Sequence, residues 1–103
     1  MRLQVTGSRI DLSDDLKDFV RRRIHFALGR FSGRIKALSV RLADVNGPRN
    51  GVDKTCDIRI SAGAGEVIIV RERQENIYLA VAHALDRAAR AIQRKLSLGR
   101  AIV

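Results

Sequence analysis

The chain has 103 residues, and its 20 Lys and Arg against 11 Asp and Glu give a formal net charge of +9 at pH 7. This charge makes phosphate-rich partners the first candidates, namely RNA, DNA or an anionic membrane surface. No apolar stretch approaches the roughly 20 residues that a membrane-spanning helix needs, and the N-terminus has no apolar signal segment. A single cysteine excludes an intrachain disulfide, as in a reducing compartment. We therefore expect one cytoplasmic domain, long enough to bury a core unaided.

A short strand and a helix open the chain. Leu3 and Val5 alternate with polar residues, which predicts a strand with one buried side. Ser13 is a good N-cap before two aspartates, so a helix is expected from about residue 13, and Ser32-Gly33 predicts its end. Its apolar residues recur at helical spacing: Leu16, Phe19, Val20, Ile24, Ala27, Leu28 and Phe31. Beside that apolar side lie three arginines, called here the basic flank: Arg22, Arg23 and Arg30.

Three more strands follow. Alternating apolar and polar residues give their expected bounds as Ile35–Asp44, Lys54–Ala62 and Glu66–Arg73. Val45–Asp53 holds two Asn/Gly turn signals and the only proline, and Gly63-Ala64-Gly65 is typical of a hairpin turn. The continuous apolar segment Val67–Val70 predicts a central or well-covered position for the last strand.

The last helix is expected to start near Asn76 and to reach about Leu98. Its apolar side comprises Ile77, Ala80, Val81, Ala84, Leu85, Ala88, Ile92 and Leu96. Arg87, Arg90 and Arg94 share a neighbouring side, because they stand at offsets 0, 3 and 7. We call these three residues the arginine row. With His83 one turn earlier the row is about 16 Å long, enough for a few consecutive phosphates. Taken alone, it is equally compatible with an ordinary solvated face.

The element order β-α-β-β-β-α predicts an α+β fold: a single domain over residues 1–103, with a four-stranded sheet and two helices on one face. Two helices side by side would bring the basic flank and the arginine row to the same outer surface. Two independent basic sets favour a nucleic-acid interface over chance.

Catalysis and metal binding find little support in the sequence. His25, His83 and Cys56 lack the short paired spacings of metal sites. Cys56 falls on the inward side of its strand, as a small buried hydrophobe would. Gly63-Ala64-Gly65 opens no helix, so it is not a phosphate-binding loop. We expect no enzyme, no cofactor and no small-molecule substrate. With four aromatic residues, recognition is expected to depend on phosphates and shape rather than base stacking.

Three features carry a family resemblance over nearly the whole chain. They are the strand ending in Thr6-Gly7, the apolar pattern of the first helix, and Glu75-Asn76-Ile77-Tyr78-Leu79-Ala80-Val81 at the entry to the last helix. The sequence resembles the ribosome hibernation-promoting factors, also described as ribosome-associated inhibitors or sigma-54 modulation proteins. The resemblance implies a fold similar to double-stranded-RNA-binding domains. It also implies binding to small-subunit rRNA in the path of mRNA and tRNA, which silences ribosomes in starvation or stationary phase.

Matched position by position, the resemblance implies RNA contacts by the arginine row and by Arg22 and Arg23, with Lys54 and Arg59 as weaker correspondences. Asn76 stands where the family usually has Asp, and the 46–51 loop is longer than in short members. The chain ends at Val103 without the acidic tail or the dimerisation domain of family subtypes. The oligomeric state and the pairing of ribosomes therefore stay open, as do two alternatives: a sigma-factor modulator and a generic double-stranded-RNA binder.

Overall fold

The computed structural model describes residues 1–45, 53–63 and 65–101, with side chains as far as Lys95. The elements in chain order are β1 (Arg2–Ser8), α1 (Asp14–Leu28), a 3-10 helix η1 (Gly29–Arg34), β2 (Ile35–Asp44), β3 (Lys54–Ala62), β4 (Val67–Gln74) and α2 (Ile77–Ala101). The predicted order of strands and helices is confirmed, and the bounds of β2 and β3 agree to the residue. The 46–51 loop and Ala64 of the predicted turn lie outside the described residues.

The four strands form one mixed sheet in the order β1-β2-β3-β4. β1 runs parallel to β2, while the β2–β3 and β3–β4 pairs are antiparallel. Across the middle of the sheet, Val5 pairs with Val40, Val40 with Ile58, and Ile58 with Val70. Because side chains alternate along each strand, these residues share one face, and this is the face that the helices cover. The opposite face, called here the open face, carries no helix of the described chain.

One hydrophobic core joins the sheet to both helices. The buried residues from the strands are Ile35, Leu38, Val40, Leu42, Cys56, Ile58, Ile60, Ile68 and Val70, and those from the helices include Leu16, Val20, Ile24, Leu28, Ala80, Val81, Ala84, Leu85, Ala88 and Ile92. Each large side chain buried this way contributes about 1.5–3 kcal/mol. The apolar side predicted for each helix is therefore confirmed where side chains are described, and it fixes which side of α1 and α2 faces solvent.

Side-chain caps define where both helices begin. Ser13 Oγ accepts a hydrogen bond from the Leu16 amide at 3.2 Å, and Asn76 Oδ1 accepts one from the Tyr78 amide at 2.7 Å. Both caps satisfy amides that have no partner within the helix, so the predicted starts are confirmed. The end of the first helix differs from the prediction. The α-helix stops at Leu28, and the tighter η1 carries the chain on to Arg34, which places Phe31 in the core.

The central or well-covered position predicted for the last strand is wrong. β4 lies at an edge of the sheet, and Val67 and Ile69 on the open face are 40% and 57% exposed. Only their neighbours Ile68 and Val70 point into the core. The continuous apolar segment thus combines two core residues with two solvent-facing ones, a combination that periodicity cannot separate from a strand covered on both faces.

Candidate nucleic-acid interface

Two arginines of the basic flank contact α2. Arg23 Nη2 is 3.6 Å from Asp86 Oδ1, and Arg30 Nη2 donates a hydrogen bond to Gln93 Oε1 at 2.9 Å. Arg23 belongs to α1 and Arg30 to η1, so these contacts join both elements to one side of α2, on which Asp86 and Gln93 stand two turns apart. Two of the three arginines of the flank, Arg23 and Arg30, are therefore oriented by α2.

Aromatic rings support the same arginines. The Arg23 guanidinium lies 5.4 Å from the centre of the Phe26 ring, and that of Arg30 lies 4.7 Å from the Phe31 ring. Cation–π contacts at exposed sites contribute about 0.5–1 kcal/mol each. Phe26 itself is 78% exposed, the highest value among the large hydrophobic residues described. Arg22, one turn before Phe26, is exposed, and the described chain gives it no ion pair.

The arginine row of α2 divides into one paired and two unpaired members. Arg87 Nη1 donates to Glu72 Oε2 and to the Arg71 carbonyl oxygen, both at 2.7 Å. The hydrogen bond from Arg87 lowers the pKa of Glu72 from its ordinary value. Arg90 and Arg94 are exposed, and no carboxylate in the described part of the chain pairs with them. The row therefore offers two fully available guanidinium groups and one that is shared with β4.

The positions of Asp86 and Gln93 show how closely the two basic sets approach. Asp86 contacts Arg23 of α1 and Gln93 contacts Arg30 of η1, and they stand four residues before and three residues after Arg90. Residues at these spacings are neighbours on a helix surface, so Arg90 lies beside the basic flank. Arg87 lies on the other side of the row, towards β4. We call the surface formed by the basic flank and the arginine row the helix face.

His83, which the sequence places one turn before the arginine row, faces β4 at the edge of the sheet. Its Nδ1 lies 3.1 Å from Gln74 Nε2 and 3.9 Å from Glu72 Oε1. His83 therefore belongs with the Glu72 contacts of β4 rather than with the cations of the helix face.

Two residues implied by the resemblance lie elsewhere. Lys54, at the start of β3, has its ammonium 2.8 Å from Asp53 Oδ1 and 3.4 Å from Asp44 Oδ2. The hydrogen bond to Asp53 raises the pKa of Lys54, with a further contribution from Asp44. Arg59 projects from the open face, because it alternates with the buried Ile58 and Ile60. The structure thus brings neither residue to the helix face.

Sequence reasoning missed two partners of these cations. Asp53 was expected in a loop, yet its side chain is fully buried beside Lys54. Glu72 is separated from Arg87 by fifteen residues, so no local spacing connects them. The only sequence signal was the adjacency of Asp53 to a lysine at the start of a predicted strand.

The remaining chemistry of the described chain is sparse. Cys56 is buried, and burial raises the pKa of its thiol to about 12, which removes the thiolate that a nucleophile needs. Among the described residues, no group of three His, Cys, Asp or Glu side chains could hold a metal. Within the same residues, no helix is long and apolar enough to cross a membrane. The site that stands out is the helix face, whose guanidinium forks suit bidentate contact with phosphate.

The fold and this site define a small α+β domain with an arginine-rich layer of two helices. The chain belongs to the family described as sigma 54 modulation protein / S30EA ribosomal protein, whose sequence pattern it matches over residues 3–97. This family is ribosome-associated, and its match confirms the resemblance. A search of curated protein sequences finds no match.

Two solved structures have the same fold. The N-terminal domain of Protein Y from Thermus thermophilus is similar with a TM-score of 0.74 and 19% identity, over 91% of this chain and 98% of that one. A ribosomal subunit interface protein from Coxiella burnetii is similar with a TM-score of 0.77 and 17% identity, over 94% and 99% of the two chains. At these identities the likeness confirms the predicted α+β fold.

Proposed function

We propose that this protein is a non-enzymatic, cytoplasmic inhibitor of translation that binds the rRNA of the small ribosomal subunit. In this proposal the domain occupies the path of mRNA and tRNA and silences ribosomes during starvation or stationary phase. Family membership supports the ribosomal partner. The observation that carries the proposal is the meeting of the basic flank and the arginine row on one helix face.

The proposed contacts follow from which cations are available. Arg22, Arg90 and Arg94 are exposed without an ion pair in the described chain, so they can meet phosphates without breaking an existing bond. Arg23 and Arg30 are oriented by α2 and keep further N–H donors for a ligand. Lys54 stays outside the proposed contact set, because two carboxylates already surround its ammonium.

Binding through these contacts is an electrostatic exchange. Each neutralised phosphate releases condensed counterions, so affinity falls as the salt concentration rises. Each contact makes the slope of log K against log salt concentration more negative by about 0.7–0.9. The fold supplies a rigid, compact body behind the contacts, and this bulk is what would exclude mRNA and tRNA. No bond is made or broken in the RNA.

The test is co-sedimentation of the purified protein with small subunits at two salt concentrations. A variant with Arg22, Arg90 and Arg94 changed to Gln is expected to lose most of its binding and to have a slope lower by about 2–3. The matched control changes Arg21, Arg34 and Lys36 to Gln, because these cations lie outside the helix face and give the same charge change. Equal losses of binding in both variants would show that affinity depends on the net charge of the protein and not on the helix face. Undiminished binding by the first variant would refute its role.

A second assay addresses the mechanism. Small subunits preloaded with the protein are expected to take up a labelled mRNA fragment more slowly and to a lower level than free subunits. Normal uptake of mRNA by saturated subunits would place the protein outside that path, even if it binds rRNA.

The family description also contains sigma 54 modulation, and an arginine-rich surface can meet an acidic protein. If a pull-down from cell extract recovered a sigma factor without rRNA, the protein would be a transcription-factor modulator. A generic double-stranded-RNA binder differs in another way, because an unrelated long RNA duplex would then displace the protein from ribosomes.

A further inference from the structure

The open face of the sheet is a second basic surface, turned away from both helices. Five of its residues are arginines, one from β1, one from β2, one from β3 and two from β4: Arg2, Arg41, Arg59, Arg71 and Arg73. Each is exposed, and each alternates with residues that point to the core face. The only carboxylate among the strand residues of this face is Asp57. The surface therefore carries a net charge of about +4, nearly half that of the chain.

The open-face arginines differ in their pairing from half of the helix-face arginines. Arg23, Arg30 and Arg87 each have a side-chain partner on a neighbouring element. None of the five open-face guanidinium groups forms an ion pair or a side-chain hydrogen bond with the residues that the structure describes. Like charges gathered on one surface repel one another, which costs folding free energy. An anionic ligand would remove that cost.

The register arranges these arginines around a shallow trough. In the strand register, Asp57 lies opposite Arg41 on one side and opposite Arg71 on the other. The backbones of the two arginines are therefore about two strand spacings apart, roughly 10 Å. Between Arg59 and the strand β1 the floor is formed by small or polar side chains: Gln4, Ala37, Ser39 and Ser61. A second hollow adjoins it, with Arg41, Arg59 and Arg71 on its walls. The two hollows share Gln4, Ser39 and Arg59, which makes one continuous groove.

We infer that the open face binds a segment of single-stranded RNA through its phosphates. An extended anionic polymer suits a groove that crosses several strands and carries guanidinium groups on its walls. Val67 and Ile69, exposed at one edge of the face, give the riboses and bases an apolar surface. The described strands place no aromatic side chain on this face, so binding would be led by phosphates and would not select sequence.

This inference rests on the proposed function for its class of ligand, but it assigns a separate surface. A domain with phosphate-binding groups on both faces can hold two RNA segments on opposite sides. The open face would thus hold the domain against a single strand while the helix face engages structured rRNA.

The test compares two variants with the same loss of charge. One changes Arg41, Arg59 and Arg71 to Gln on the open face; the other is the helix-face variant defined above. The probe is a fluorescent uridine oligonucleotide of about ten nucleotides, and its fluorescence anisotropy is followed over a series of salt concentrations. Melting curves of both variants verify that the exposed substitutions leave the fold intact.

The open-face variant is expected to lose about tenfold or more in affinity, with a salt slope lower by about 2, at about 0.7 per phosphate contact with a single strand. The helix-face variant is expected to keep most of its oligonucleotide binding while losing small subunits. Equal affinity of the open-face variant and the natural protein, or equal losses in the two variants, would overturn the inference. So would displacement of the RNA by a poly-glutamate chain as effectively as by unlabelled oligonucleotide, since this would assign the face to an acidic protein segment.

Failure of the proposed function has a different signature. In that case the natural protein would not sediment with small subunits, whatever its affinity for the uridine oligonucleotide.

Discussion

Changing Arg87 to Ala should affect stability, whereas changing Arg90 to Ala should affect mainly RNA binding, although both arginines belong to one row of α2. Arg87 Nη1 lies 2.7 Å from Glu72 Oε2 and from the Arg71 carbonyl oxygen. Arg90 has no such partner in the described chain. Alanine is the best helix former, so neither change weakens α2 itself.

The magnitude follows from the exposure of the two partners. The Glu72 side chain is largely buried at 15% exposure, but that of Arg87 is 49% exposed, so water screens the pair. We therefore expect Arg87→Ala to cost about 1 kcal/mol, less than the roughly 1.5–3 kcal/mol of an unscreened charged hydrogen bond. In a domain of this size that lowers Tm by about 4–8 °C. Arg90→Ala should stay within about 0.5 kcal/mol of the natural protein, as is usual for surface changes.

The pH dependence gives an internal check. Because the folded state lowers the pKa of Glu72, the pair stabilises the protein fully above the ordinary Glu pKa of about 4.3. This contribution disappears as the pH falls through the lowered pKa of the folded state. The Tm difference between the natural protein and Arg87→Ala should therefore be constant near neutral pH and shrink in acid.

Thermal unfolding followed by circular dichroism at a series of pH values measures this difference directly. Arg90→Ala serves as the matched control, since it removes the same charge from the same helix. The reasoning fails if the two variants have equal Tm values at neutral pH. It also fails if the Tm of Arg87→Ala stays equally far below that of the natural protein once the pH is below the lowered pKa of Glu72.

Three further predictions concern residues away from the row. Lys54→Ala should lower Tm more than Arg90→Ala does, because it leaves the fully buried Asp53 without its cation. Its affinity for small subunits should stay within about twofold of that of the natural protein, and a large loss of affinity without a loss of Tm would mean that Lys54 contacts the RNA. Cys56, with its pKa raised to about 12, should resist thiol reagents at pH 8 and react only after unfolding; rapid reaction in the native state would contradict its burial. Leu28→Ala, at a fully buried position, should cost about 2–5 kcal/mol in chemical denaturation, and a cost below 1 kcal/mol would show that α1 is not packed as described.

Much of the fold was predictable because local chemistry and periodicity agree. The alternation in Ile35–Asp44 and Lys54–Ala62 gives the bounds of β2 and β3, and Ser13 and Asn76 start the helices that they cap. The predictions that failed depended on long-range packing. The edge position of β4 follows from strand order, and the end of α1 at Leu28 follows from the way η1 brings Phe31 to the core.

The helix face was predictable in composition but not in pairing. Spacing alone placed the arginines of α2 on one side, and the β-α-β-β-β-α order brought them beside those of α1. The partners of those arginines come from elements distant in sequence: Asp86 for Arg23, and Glu72 for Arg87. Since periodicity describes one element at a time, it cannot show which cations are already occupied.

The central claim is that the helix face contacts small-subunit rRNA, and site-specific crosslinking tests it most directly. Phe26 is exposed on that face and uncharged, so Phe26→Cys labelled with a benzophenone keeps every cation, and the buried Cys56 should escape the label. A label at Val45, exposed beyond the end of β2, is the control. With small subunits, the account predicts crosslinks to rRNA from position 26 and few from position 45. Crosslinks from position 45 with none from position 26, on subunits that bind both labelled proteins, would contradict it.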